Sequence, residues 1–197
     1  MARQNRVLPT GEIVADPARG AFMGNRGILH DDTGALTRRR WRLRGWVTRR
    51  LDFKGRRRSI AAPGHYTELF FHDEAVAFAA GHRPCAECRR ADYTAFRAAS
   101  GITGRIADFD AVLHAARVIP RKWAQRRHWA EASQLPDGSF VLLDNGTPAL
   151  IHANCALPFA DFAYGAAQKR PQGSVTVLTP PPLLDALRGG YRLHIAL

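Results

Sequence analysis

Three observations predict an α+β fold for this chain of 197 residues. Apolar residues recur at helical spacing between residues 73 and 118, where the first stretch starts with acidic residues and ends at a glycine. Residues 39–53 instead alternate imperfectly between apolar and basic side chains, which favours strands. Beyond Pro136, the turn signal Asp144-Asn145-Gly146 separates two apolar runs and predicts a β-hairpin.

The remaining elements follow in chain order. Helices are expected over residues 73–81, 90–100, 106–118 and 121–133, of which the last is basic and aromatic. After the hairpin, the pattern predicts a further strand and a terminal helix with Pro at its start and Gly at its end, over residues 174–179 and 181–190. We therefore expect a basic, metal-binding and nucleic-acid-interacting region over residues 1–135. A C-terminal α+β region over residues 136–197 should pack against it as one globule.

The charge of the chain restricts its partners. It has 29 Lys and Arg against 17 Asp and Glu, a formal net charge of +12 and an isoelectric point near 10.9. Such a surface attracts polyanions, so nucleic acid and anionic membranes are the first candidates. No apolar run approaches the roughly 20 residues that cross a bilayer, and the N-terminus is too polar for a secretory signal. We expect a soluble, cytoplasmic protein that binds nucleic acid and no membrane.

Cys85 and Cys88, separated by two residues, are the clearest metal-binding signal. The only other cysteine is Cys155, which we expect to be a small core residue, and three cysteines are too few for a disulfide framework. A thioredoxin-type redox pair is disfavoured, because no strand-helix-strand unit precedes the two cysteines. Pro84 preorganises the turn, and two thiolates in one turn can bind one zinc ion. A structural zinc site needs four ligands, so two must come from elsewhere.

Residues 68–92, ELFFHDEAVAFAAGHRPCAECRRAD, resemble the second half of the Ada-type metal-binding domain of bacterial DNA alkylation-repair proteins and some nucleases. The shared features are an aromatic pair, an alanine-rich helix and a Gly-x-Arg-Pro-Cys-x-x-Cys motif followed by a basic residue. Position 82, usually aromatic, is His in this chain. The resemblance implies a zinc ion that staples the N-terminal part and a role in DNA repair or processing.

In the family that residues 68–92 resemble, an earlier segment supplies the other two ligands, but no cysteine precedes Cys85 here. The nearest counterpart is GNRGILHDD, in which His30 could be a ligand and Asp31 or Asp32 could supply an oxygen. The remaining place could be filled by His65, His72 or His82. We take the zinc ligands as Cys85, Cys88, His30 and His82. Repair members of the family accept a methyl group on a metal-bound cysteine, which histidine cannot do, so methyl transfer is not expected.

Eleven basic residues and one acid lie between positions 37 and 59, interleaved with tryptophan. Guanidinium groups bind phosphates bidentately and indole rings stack on unpaired bases, so this composition predicts nucleic-acid binding, with DNA favoured over RNA. The expected contact residues are Arg38, Arg39, Arg40, Trp46, Arg49, Arg50, Arg56, Arg57 and Arg58. A second patch, RKWAQRRHW, repeats the composition, and we expect Trp123 or Trp129 to be a core anchor.

The signals for catalysis are weaker. Asp110 and His114 lie four positions apart in an expected helix, where the carboxylate could orient the imidazole as a general base. An exposed ion pair explains the same spacing. Asp144, His152 and Asn154 give a weaker analogy to HNH-like nucleases, because no metal-binding helix follows the hairpin. Walker, dinucleotide-binding, serine-hydrolase and zinc-protease motifs do not occur in the sequence.

Two classes of function are compatible with the sequence. The first is a zinc-binding, nucleic-acid-binding protein that acts on DNA in repair or processing, with a structural metal. The alternative is a metal-dependent nuclease or DNA repair hydrolase of HNH-like or other treble-clef-like type. The sequence does not decide whether the protein is an enzyme.

Overall fold

The computed structural model describes residues 2–55 and 59–197 and confirms a mixed α+β fold. The first sheet has six strands: β1 (Gln4–Val7), β2 (Ile13–Ala15), β3 (Phe22–Asn25), β4 (Val47–Arg49), β5 (Leu69–Phe71) and β6 (Arg83–Pro84). Their order is β2-β1-β5-β3-β4-β6, and the β1–β5 and β4–β6 pairs are parallel. The sheet therefore brings the two-residue strand before the cysteine pair next to the strand within the arginine-rich segment.

Within the described ranges, four α-helices lie where the sequence predicts them: α1 (Glu74–Ala79), α2 (Arg90–Ala99), α3 (Ile106–Arg117) and α4 (Pro181–Arg188). Asp73 caps α1, because its side chain accepts a hydrogen bond from the Val76 N–H. The chain leaves α1 through Gly81, whose φ is +81°. A Cβ at this position would lie 2.5 Å from Cδ of Arg117, so glycine here lets the buried arginine approach the backbone.

A two-stranded sheet, β7 (Val118–Ile119) with β8 (Ala124–Gln125), follows α3. The last sheet has seven strands: β9 (His128–Glu131), β10 (Phe140–Leu142), β11 (Pro148–His152), β12 (Cys155–Ala160), β13 (Ala163–Tyr164), β14 (Gln168–Lys169) and β15 (Ser174–Val177). Its order is β13-β12-β11-β10-β15-β9, with β14 paired to β12. The predicted hairpin is confirmed as β10–β11, and the predicted strand is β15.

The prediction of a helix over residues 121–133 is wrong. Arg121 and Trp123 have φ values of +67° and +53°, which a right-handed helix excludes, and the segment instead forms β8, β9 and a short 3₁₀ turn. Pairing with β15 places Trp129 opposite Thr176. In residues 39–53 only Val47–Arg49 is a strand among the positions that the structure describes. The strand prediction is thus confirmed in part, whereas the helix prediction failed because strand pairing with distant residues overrides local propensity.

Two clusters of buried apolar side chains form the core, and each mixes residues from both sides of position 135. Phe78 of α1 stacks on Tyr191 at a centroid distance of 5.3 Å. Beneath this pair, Glu74 is fully buried, accepts a 2.8 Å hydrogen bond from the Tyr191 hydroxyl and forms a 2.7 Å ion pair with buried Arg89. Burial alone would lower the pKa of Arg89, but Glu74 raises it above its ordinary value. Helix α1 and the C-terminal segment that contains Tyr191 thus share one buried polar network.

Replacing Glu74 by Ala should lower the free energy of unfolding by up to about 3–5 kcal/mol, because the buried Arg89 would lose its buried carboxylate partner and keep only the partly exposed Asp92. Urea unfolding measures this change. Asp108→Ala is the matched control, since the pair of Arg105 with Asp108 is exposed and should contribute little. Equal losses in the two variants would show that the buried network does not stabilise the fold.

Candidate nucleic-acid interface

The cysteine pair lies in the turn between β6 and α2, and both residues are buried. The Arg89 N–H donates to the Cys85 carbonyl at 3.1 Å, which closes the turn. Burial raises the pKa of the Cys88 thiol, and hydrogen bonds from the Arg50 N–H and the Arg49 guanidinium act in the opposite direction. Cys88 and Arg49 line a cavity of about 480 Å³, so the thiol borders accessible space with a cation beside it.

The structure does not bring the four predicted zinc ligands together. His30 is buried and uses both ring nitrogens, Nδ1 with Thr67 Oγ1 at 2.7 Å and Nε2 with the Ala62 carbonyl at 3.3 Å. His82 is fully buried, and its Nε2 accepts a hydrogen bond from Arg26. Across residues 2–55 and 59–197, no three His, Cys, Asp or Glu side chains form a group that could hold a metal ion. The described donors therefore do not fit a four-ligand zinc site.

The other candidate ligands have separate surroundings. His72 lies among the rings of Phe159, Phe162 and Tyr164. His65 borders a different cavity, of about 300 Å³. Cys155, in β12, is half-buried, and its thiol donates to the His152 carbonyl at 2.8 Å.

Asp110 and His114 lie on α3 but face different partners. Both carboxylate oxygens of Asp110 accept hydrogen bonds from Arg83, at 2.7 and 2.6 Å. The His114 ring packs against Trp41 and Trp46. Burial, together with nearby arginines, lowers the pKa of His114 to about 4, so the ring is neutral at physiological pH. In the structure the Asp110 carboxylate therefore binds Arg83, while His114 Nδ1 contacts Arg117.

The arginine-rich segment divides between two surfaces. Arg38 and Arg40 line a groove of about 1010 Å³, whereas Arg49 and Arg50 line the cavity beside Cys88. Arg39 is exposed, and Arg56, Arg57 and Arg58 lie outside the described residues. Arg38 and Arg40 thus line a different concave surface from Arg49 and Arg50.

Trp46, expected to stack on a base, is 4% exposed. The guanidinium carbons of Arg26 and Arg117 lie over its ring, 4.3 and 3.8 Å from the centroid. Its indole N–H donates to the Leu43 carbonyl at 2.8 Å. A nucleobase could stack on this ring only after displacing protein groups, so Trp46 acts as a core anchor instead.

The groove joins parts of the two basic patches, and we call it the basic groove. Its cationic side chains are Arg38, Arg40, Arg121, Lys122 and Arg127. None of these five forms a salt bridge with any carboxylate in the part of the chain that the structure describes, although Glu12 also lines the groove. Trp123 forms part of the wall and packs edge-on against Trp41 at 4.8 Å. Five cations beside a half-buried indole can bind successive phosphates.

A second concave surface, of about 630 Å³, shares Arg121 and Trp123 with the basic groove and is also lined by Trp41. It includes Arg44, Arg121 and Arg126 together with His114. Trp129, by contrast, is 72% exposed, so neither it nor Trp123 is the buried anchor expected from the sequence.

Sequence reasoning missed Arg26 and Arg117, which are among the largest fully buried side chains. Neither belongs to a basic run, and charge counting alone gives no reason to place them inside the protein. A weak signal for Arg117 is its position at the end of α3, where a cation is favoured by the helix dipole.

No protein-family model, no curated protein and no solved structure matches the chain. No helix among residues 2–55 and 59–197 is long and apolar enough to cross a membrane. The geometry and charge of the basic groove are therefore the main guides to function.

Replacing Arg49 by Ala should raise the pKa of the Cys88 thiol further, because the guanidinium favours the thiolate form. Alkylation of Cys88 by iodoacetamide near neutral pH should then be slower than in the wild type. In the pH profile, the alkylation rate should also rise only at a higher pH. Arg50→Ala is the control, since Arg50 donates to the thiol through its backbone N–H, which the substitution keeps. Identical profiles for wild type and Arg49→Ala would show that the guanidinium does not act on the thiol.

Proposed function

We propose that the protein binds nucleic acid through the basic groove, in the first place DNA during repair or processing. The observation that carries the proposal is the set of five groove cations without a carboxylate partner among the described residues. The preference for DNA, and for repair or processing, rests only on the resemblance of residues 68–92 to the Ada-type domain.

The distribution of salt bridges supports this use of the groove. Arg83 and Arg89, near the cysteine turn, form buried ion pairs with Asp110 and Glu74. Such arginines are committed to the fold. In the groove, Arg38, Arg121 and Arg127 are exposed and Arg40 is half-buried, and a phosphate backbone supplies evenly spaced anions for such cations. Binding there would release condensed counterions, which is the main sequence-independent source of affinity.

The tryptophan in the groove wall adds a preference for exposed bases. Trp123 is half-buried, with Trp41 packed against it. A partly exposed indole beside cations is the combination that binds single strands, because a base can stack while phosphates contact arginines. We therefore expect single-stranded or partly unpaired DNA to bind more tightly than duplex.

Replacing Arg121, Lys122 and Arg127 together by Ala should weaken DNA binding and reduce its salt dependence. Each lost phosphate contact removes about one counterion, so the slope of log K against log salt should flatten by up to about 3 units on duplex DNA. Fluorescence anisotropy with labelled duplex and single-stranded oligonucleotides, over a salt series, measures the slope.

The control removes three exposed arginines that do not line the groove, namely Arg90, Arg105 and Arg188. It loses the same charge, so a general effect of net charge would appear equally in both variants. An unchanged slope in the groove variant, or an equal change in the control, would place DNA binding elsewhere.

The same DNA samples test the nuclease alternative. Because both carboxylate oxygens of Asp110 accept hydrogen bonds from Arg83, we expect the DNA strands to remain uncleaved in the presence of Mg²⁺, Mn²⁺ or Zn²⁺. Gel electrophoresis after prolonged incubation measures strand length, and parallel samples contain a chelator. Cleavage that the chelator abolishes would favour the nuclease instead.

A further inference from the structure

A small cavity lies directly behind the basic groove, with a volume of about 20 Å³. Arg26, Arg117, Trp46 and Gln125 line it. The cavity and the groove share Gly11, Arg40, Trp123, Ala124 and Gln125 in their walls. The two spaces are therefore neighbours. The cavity has room for a group of about the size of one oxygen atom, since a water molecule needs roughly 10–15 Å³.

Three polar atoms of the cavity-lining residues have no hydrogen-bond partner in the described structure: Arg26 Nη2, Arg117 Nε and Gln125 Oε1. The other groups of these side chains are occupied. Arg26 Nε donates to His82, and the Gln125 amide donates to the Ala79 and Leu178 carbonyls at 2.6 and 2.8 Å. Because the amide nitrogen of Gln125 donates both bonds, the amide orientation is set and Oε1 is the atom that lacks a partner. Two donors and one acceptor thus need a ligand.

The positive charge of Arg26 and Arg117 is also uncompensated by a carboxylate among the described residues. Arg26 and Arg117 are 2% and 1% exposed, and neither pairs with a carboxylate among the described residues. Asp110, the acid that acts on Arg117, is already bound by Arg83. Burial and the nearby Arg40 lower the pKa of Arg26 to about 9, and burial with Arg26 lowers that of Arg117. Two buried cations over one indole are unfavourable without an anion.

A single ligand that satisfies all three atoms would carry negative charge, place one oxygen in the cavity, accept from two guanidinium groups and donate to an amide oxygen. A P–OH group has these properties, because its oxygen has two lone pairs and one hydrogen. Chloride cannot donate to Gln125, and the oxygens of an internal phosphodiester carry no hydrogen. A water has the right hydrogen bonds but no charge.

We propose that the cavity takes the P–OH oxygen of a phosphate monoester whose other oxygens lie in the basic groove. The nucleic-acid form of this proposal rests on the proposed function: the protein recognises a strand end that bears a terminal phosphate. Inorganic phosphate has the same chemistry and can bind without any nucleic acid.

The first test compares inorganic phosphate with sulfate, which has the same shape but no hydrogen near neutral pH. Thermal unfolding of the wild-type chain is followed at equal ionic strength near pH 6, where every inorganic phosphate ion carries at least one P–OH hydrogen. About half of a phosphate monoester is singly protonated at this pH, which is therefore kept for the oligonucleotide comparison. We expect the melting temperature to be about 2–4 °C higher in phosphate. Equal melting temperatures would mean that the cavity holds only a water, and would overturn the proposal.

The second test separates the two sources of phosphate. Single-stranded oligonucleotides of one sequence carry a 5′-phosphate, a 3′-phosphate or hydroxyls at both ends, and tryptophan fluorescence reports binding. We expect one phosphorylated form to bind about tenfold more tightly than the hydroxyl form. Equal affinities for all three would overturn end recognition. If no oligonucleotide binds while phosphate stabilises the protein, the proposed function fails and the phosphate site remains.

Arg26→Met removes one of the two donors and keeps a long side chain. The variant should lose both the difference between phosphate and sulfate and the preference for a phosphorylated end. Arg97→Met is the matched control, since Arg97 is half-buried, donates to the Ile102 and Gly104 carbonyls, and lines neither the cavity nor the groove. A wild-type response in Arg26→Met would overturn the proposal. If that variant does not fold, the wild-type comparisons still decide.

Discussion

The arrangement of the basic surface depends on the contacts that the buried guanidinium of Arg117 makes. This guanidinium donates to the carbonyls of Gly81 and Arg44, and it covers the ring of Trp46. The end of α3, the exit from α1 and the irregular arginine-rich segment are thereby held against one another. Arginine suits this position because its planar group of five donors can bond several carbonyls while lying flat on an indole.

The structure contains two kinds of arginine, buried ones and surface ones, which the composition does not distinguish. Buried arginines stabilise the fold, either through carboxylates, as Arg83 and Arg89 do, or through carbonyls and an indole, as Arg117 does. The arginines of the basic groove pair with no carboxylate among the described residues, although Arg40 donates to the carbonyls of Thr37 and Arg39. The net charge of +12 thus contains a structural part and a part available to a polyanion.

The cysteine turn is organised around cations and backbone donors. Arg49 and the Arg50 N–H contact Cys88, and neighbouring Arg89 is bound by Glu74 and Asp92. His30 and His82 have different partners: His30 is bonded to Thr67, and His82 to Arg26. Arg49 lies beside Cys88, and the described residues bring no third metal ligand to the two thiols. The two thiols of the turn therefore form a pair flanked by cations.

The sequence by itself determined the α+β class, the helices α1 to α4, the β10–β11 hairpin and the cysteine turn. Those features depend on local rules: apolar spacing, a capping carboxylate at Asp73, a turn at Asp144-Asn145-Gly146 and the Cys-x-x-Cys spacing. Only the tertiary structure decided that residues 121–133 form strands, that Trp46 is buried and that Asp110 binds Arg83. It also brought Arg38 and Arg40 to the same groove as Arg121 and Arg127. The reason is that strand pairing, burial and the choice of a charge partner join residues far apart in the chain, and neither periodicity nor composition records those distances.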